Sequence, residues 1–153
     1  MIMGFPALSL KGRALRHLTA REHSRAELER KLQSFEEDPG ELARVLDELQ
    51  DRGFIDEQRV VDSVVHRRAS RLGSSRIRHE LQGKGLDAQT VQIAVAQLQS
   101  TELERAREVW RKKFREPATD AASRAKQMRF LASRGFSAEA IRRVVAGVDE
   151  DAG

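Results

Sequence analysis

Three times the chain leaves a helical stretch on a basic residue and a glycine, then resumes with an apolar residue and a capping side chain. The junctions are Arg52-Gly53-Phe54-Ile55-Asp56, Lys84-Gly85-Leu86-Asp87 and Arg134-Gly135-Phe136-Ser137. Glycine suits the left-handed position just past a helix, and Lys or Arg in the last turn faces the negative end of the helix dipole. Asp or Ser then accepts from the exposed N–H groups of the next helix. Five residues beyond each apolar residue stands another, pairing Ile55 with Val60, Leu86 with Val91 and Phe136 with Ile141. That is the spacing of a hydrophobic staple. One such match constrains little, whereas three in 153 residues define a recurring turn.

The stretches around these turns have helical periodicity. Leu42, Val45, Leu46 and Leu49 give a short amphipathic helix. Val60, Val61, Val64, Val65 and Leu72 share a face of a helix starting near Glu57, and Leu103, Ala106, Trp110 and Phe114 do so from near Thr101. Ser24 and Glu27 have capping-box spacing, and Ser75-Arg76-Ile77 and Ser123-Arg124-Ala125 start similar segments. The interval from Arg25 to Arg76 to Arg124 is roughly 50 residues, a period found in helical repeats. No stretch alternates as a strand would. The expected fold is all-α: three tandem three-helix, helix-turn-helix-like repeats over residues 13–55, 56–99 and 101–148, forming an elongated curved body. Phe35–Gly40 replaces the tight glycine turn in the first repeat, and Glu116-Pro117 ends the first helix of the third. The tail Asp149–Gly153 is expected to fray.

Chemistry is hard to find in this chain. Cysteine is absent, which removes disulfides, thiolate metal sites and a cysteine nucleophile. His17, His23, His66 and His79 show no paired metal spacing. Gly83-Lys84-Gly85 lacks the length and the preceding strand of a phosphate loop and fits a helix end instead. Ser74 and Ser75 fit helix capping, and the acidic run Glu36-Glu37-Asp38 lacks the pattern of a calcium loop. Trp110 lies on the apolar stripe of its helix and is expected in the core. Neither enzymatic activity, nor a metal, nor a cofactor is expected. Met1–Leu10 lacks the basic start and long apolar run of a signal peptide, and no span of about 20 apolar residues is present, so a cytoplasmic protein is expected.

What remains is charge. The net charge is only +4, but Glu36–Asp51 is acidic with Arg44 its one basic residue. His66–Lys84 carries Arg67, Arg68, Arg71, Arg76, Arg78 and Lys84 against Glu80 alone. A second block holds Arg105, Arg107, Arg111, Lys112, Lys113 and Arg115 against Glu108. A solvated helix face is the ordinary reading of such runs, but one-sided arginine suits bidentate contact with phosphate or carboxylate. Arg67, Arg68, Arg71, Arg76, Arg78, Lys84, Arg111, Lys112, Lys113 and Arg115 are therefore expected to contact a partner protein or DNA.

Gly73, Arg76, Ile77, Glu80, Leu81, Lys84 and Gly85 meet the central signature of the RecX family of bacterial recombination regulators, and the chain resembles that family. An early pattern is met by Ser24, Arg25, Glu27, Leu28, Lys31 and Leu32, and a late one by Arg129, Phe130, Leu131, Arg134, Gly135 and Phe136. The resemblance runs in order over residues 13–146. It departs after the first glycine turn, where Asp56-Glu57 and Val60-Val61 stand for the family's Asp-Asp and Phe-Ala, keeping the cap and the apolar face. The resemblance implies a protein that binds the RecA recombinase, lodges along its nucleoprotein filament, and restrains strand exchange, ATP hydrolysis and coprotease function in the SOS response. Arg25, Lys31, Arg129 and Arg134 of the motifs join the expected contact residues. The alternative is direct binding of single- or double-stranded DNA through the basic helix faces, with a passive helical scaffold as a third reading.

Overall fold

The structure, a computed structural model, describes residues 8–147. The tail Asp149–Gly153 and most of Met1–Leu10 lie outside the described residues. Among the described residues the chain forms α-helices and no strand. They are α1 (Leu10–Ala20), α2 (Arg25–Leu32), α3 (Glu41–Asp51), α4 (Glu57–Arg68), α5 (Ser74–Gly83), α6 (Ala88–Gln99), α7 (Glu102–Phe114), α8 (Ala121–Ser133) and α9 (Ala138–Ala146), with a 3-10 turn at Gln33–Phe35.

The three glycine junctions take the form their spacing requires. Gly53, Gly85 and Gly135 have φ of 81°, 70° and 89°, a region costly to any residue with a Cβ. Asp56 accepts from Arg59 N at 3.0 Å, Asp87 from Gln89 N and Thr90 N, and Ser137 from Ala140 N at 3.2 Å. The staple residues Ile55, Val60, Leu86, Val91, Phe136 and Ile141 are all buried.

By contact the described chain divides into two compact units: residues up to Val60 together with Lys84–Leu86, and Val61–Gly83 together with everything from Asp87 onward. In the first unit, α1, α2 and α3 close on a core that includes Leu10, Leu28, Leu46 and Ile55. Ser24 and Glu27 make the expected reciprocal capping box. Ser24 Oγ also donates to the carbonyl of Lys84, and Ala26 packs where Gly85 has no Cβ. A side chain at Gly85 would collide there.

In the second unit, α5 packs on α6, and α7, α8 and α9 enclose a core containing Ala106, Trp110, Leu131 and Ile141. Trp110 is buried as expected, and its indole N–H donates to Gln127 Oε1 at 2.9 Å. Gly73 and Gly135 bring two backbones together: Gly73 N donates to Arg134 O at 2.7 Å and Ser75 N to Gly135 O at 3.2 Å. A Cβ on Gly73 would strike the carbonyl of Gly135.

Three local expectations are corrected. Leu72 is not on the face of α4, which ends at Arg68; Leu72 N and Arg71 N both turn back to Arg68 O. The helix assigned to begin at Ser123 begins at Ala121, because Asp120 caps it, accepting from Ser123 N at 2.7 Å. Ser74 does not cap α5 with its hydroxyl. Both its N–H and its Oγ donate to the buried carboxylate of Glu102, which performs the cap from α7.

Candidate partner-binding surface

The fourteen basic residues expected to meet a partner divide according to whether the fold already occupies them. Arg25 is fully engaged. Its guanidinium donates to Glu29, to Asp47 and Gln50 at 2.6 Å each, and to Ala43 O, which ties α2 to α3. The hydrogen bond to Asp47 is the main cause of its raised pKa. Lys84 faces inward, its side chain only 14% exposed and 3.6 Å from the Glu27 carboxylate. Arg67 and Arg68 converge on Glu80 at 3.7 and 3.0 Å. Arg76 donates to Ser133 O at 2.7 Å, and Arg111 pairs with Glu108 at 2.7 Å. Lys31 stands 2.9 Å from His23 Nε2.

The second basic block is also partly structural. Arg105 is drawn under the helix ends, where it donates to the carbonyls of Ala69, Leu72 and Leu98. Burial lowers its pKa, with Glu102 opposing. Arg107 is buried and pairs with Glu104. Ala69 O and Leu72 O lie in the turn after α4, whereas Leu98 O, near the end of α6, also accepts from Thr101 N, so Arg105 ties these two chain segments together.

Arg71, Arg78, Lys112, Lys113, Arg115 and Arg129 are exposed, and no ion pair joins any of them to the other described residues. Four of the expected cations, Arg71, Lys112, Lys113 and Arg134, come together around one groove of about 330 Å³ in the second unit. Val109, Phe130 and Ser70 complete its walls, and no carboxylate lines it. Phe130 anchors the arrangement. Arg134 lies over its ring at 4.9 Å, Lys113 approaches it at 5.4 Å, and Phe114 meets it edge-on at 5.4 Å. Four cations with no fixed counter-charge hold a positive potential that an anionic surface relieves. The ring and Val109 add an apolar floor.

Sequence reasoning brought the cations to the surface but missed Phe130 as their platform. The four-residue spacing from Phe130 to Arg134 was a usable signal on a helix. The approach of Lys113 to the same ring, and the arrival of Arg71 in the same groove, are tertiary facts with no local signature. No group of three or more His, Cys, Asp or Glu among the described residues could hold a metal ion, and no described helix is long and apolar enough to cross a membrane.

Fold and surface define a class: an all-helical protein of tandem three-helix domains, in which staple-bearing glycine turns recur at Gly53, Gly85 and Gly135. Three family models match in order, described as the first, second and third three-helix domains of RecX, over residues 11–49, 56–95 and 100–145. The chain belongs to the RecX family. It is 56% identical over 146 residues to a protein of Leptothrix cholodnii named regulatory protein RecX, covering 95% of this chain and 93% of that one. A protein of the same name from Ralstonia pickettii is 46% identical, covering 94% and 90%. Among structures, the crystal structure of RecX from Lactobacillus salivarius has a similar fold, with a TM-score of 0.78 over 92% of this chain and 95% of that one at 20% identity.

Proposed function

We infer that this protein is a binding regulator without catalytic activity of its own, which engages the RecA recombinase filament in the bacterial cytoplasm. It restrains the filament's recombinase, ATPase and coprotease activities, and so acts on DNA repair and the SOS response. The observation that carries this reading is the ordered family match across all three helical domains, residues 11–145. The groove around Phe130 supports it as a contact site, because a cationic wall on an apolar floor suits an acidic protein surface with one protruding apolar side chain. Within the expected contact set, Arg71, Arg78, Lys112, Lys113, Arg115, Arg129 and Arg134 are the residues proposed to meet the partner. Arg25 and Lys84 are proposed to act on the fold.

The test is a titration of the purified protein into recombinase filaments on single-stranded DNA, following ATPase rate and filament length together. A falling rate is expected, and no change at several-fold excess over recombinase rejects the reading. A second reading, direct DNA binding, is favoured by the absence of any carboxylate in that groove. Neutralising about four phosphates would give a log–log salt slope near −4 on duplex DNA. A gel shift that stays empty at low salt removes it.

A further inference from the structure

A groove of about 420 Å³ on the second unit lies beside the point where the described chain ends. Pro117, Met128 and Val145 give it apolar walls, and Arg124 and Arg142 are the charged residues lining it. Neither arginine belongs to the expected contact set. Both are exposed, and no ion pair joins either to the other described residues. Arg142 Nε reaches only its own helix, at the Ala138 carbonyl, 3.4 Å away. Asp120 lies within reach of the Arg124 charge, but its carboxylate accepts from Ser123 N at 2.7 Å and caps α8. Glu139 lines a different groove together with Arg143. Glu116 is exposed beside Pro117 and lines no part of this one.

Beyond Ala146 the sequence runs Gly147-Val148-Asp149-Glu150-Asp151-Ala152-Gly153, one branched apolar residue followed by three acids. Gly147, at a φ of 115°, closes α9 and takes the chain off the helix axis. The match to the third three-helix domain stops at residue 145, so the acidic stretch stands outside the shared repeat. Acids placed straight after a helix C-terminus face its negative end, which raises their energy unless cations answer them.

We propose that Val148–Asp151 folds back into this groove, with Val148 against Met128 and Val145 and the acidic side chains paired with Arg124 and Arg142. The six residues after Gly147 span at most about 20 Å when extended, and Ala146 already lines the groove, so the tail reaches it. Each exposed ion pair is weak alone. The tether holds the acids at an effective concentration on the order of millimolar, and weak pairs then suffice. Docked in this way, the tail covers two cations that a separate acidic segment would otherwise meet. The proposal goes beyond the recombinase reading and is independent of it.

The chain has no cysteine, so a nitroxide on Gly153→Cys has one attachment point, and amide line broadening then maps where the tail rests. Ala118, Arg124 and Met128 are the reporters, being remote from the tail in sequence. Reversing the tail with Asp149→Lys, Glu150→Lys and Asp151→Lys is expected to lower the docked-to-free ratio roughly fivefold, the scale of two exposed pairs, and the broadening with it. Arg124→Gln with Arg142→Gln under the native tail should give the same loss. Salt at about 1 M, where charges are screened within about 3 Å, should act in the same direction. Adding Arg124→Glu and Arg142→Glu to the reversed tail exchanges the signs, and broadening is expected to return. Melting should be alike in all of these chains, since the altered residues are exposed or lie outside the core. Equal broadening with native and reversed tails means a tail that frays, and overturns the proposal. Indifference to the two arginine-to-glutamine changes, or no recovery in the exchanged chain, also overturns it.

Discussion

His23 is buried in the first unit with both ring nitrogens used. Nδ1 lies 3.0 Å from the carbonyl of Arg21, which can only accept, so Nδ1 carries the proton. Nε2 therefore accepts from Lys31 Nζ at 2.9 Å, and the ring is neutral. Burial is the main force lowering its pKa below 6.5. The unfolded chain thus takes up this proton at higher pH than the folded one, so stability is full above about 6.5 and falls as pH drops below it. Glu27 adds a second loss in the same direction. Burial raises its pKa, but hydrogen bonds from Arg21 and Ser24 N and the charge of Lys84 outweigh that and hold it at about 2. Its contribution is present above 4.5 and disappears as pH falls towards 2. Denaturant midpoints measured from pH 8 to 3 should therefore fall in two stages, and His23→Gln should flatten the first. In the second unit, Trp110→Phe leaves Gln127 Oε1 without its indole donor, and a loss of about 1–3 kcal/mol in chemical denaturation is expected.

At the scale of helices, the ends carry the information. Ser24–Glu27 and the three glycine junctions were legible because a cap and its partner lie within a few residues of each other. Asp120 was passed over in favour of Ser123, since both are good caps at neighbouring positions and only the backbone conformation distinguishes them. Asp120→Ala is expected to cost about 1 kcal/mol and to lower helicity in α8, measurable by circular dichroism during thermal unfolding. Glu102 capping α5 from α7 could not be read, because the two residues are 28 apart and meet only through packing. The same holds for Arg105: its spacing placed it in a basic block, while tertiary structure sent it inward to satisfy carbonyls. Gly73→Ala would drive a methyl group into the Gly135 peptide, and a loss of about 1–3 kcal/mol is expected in the same unfolding measurement.

For the molecule as a whole, the charge polarity seen in sequence overstates the free charge. Most of His66–Lys84 is spent on Glu80, Ser133 and Glu27, and of the uncommitted cations Arg71, Lys112 and Lys113 gather with Arg134 about Phe130. Which cations remain free depends on where the acids fall in space, and that is invisible to a linear count. Lys112→Gln with Lys113→Gln removes two exposed cations that make no ion pair with the described residues, Lys113 touching only the Phe130 ring. Melting should be unchanged, while inhibition of the recombinase ATPase should weaken severalfold; full inhibition would move the contact away from Phe130.

The return of Lys84–Leu86 to the first unit has a consequence for the order in which the protein is made. Domains generally fold as they emerge, N-terminal part first. Here the first unit has its helices by Asp51 but receives the backbone partner of Ser24 Oγ only when Lys84 has been synthesised. A nascent chain halted shortly after Val60 should therefore hold α1–α3 in a looser state than the finished protein. Its last acceptor arrives more than twenty residues later, after the whole of α5 has been added.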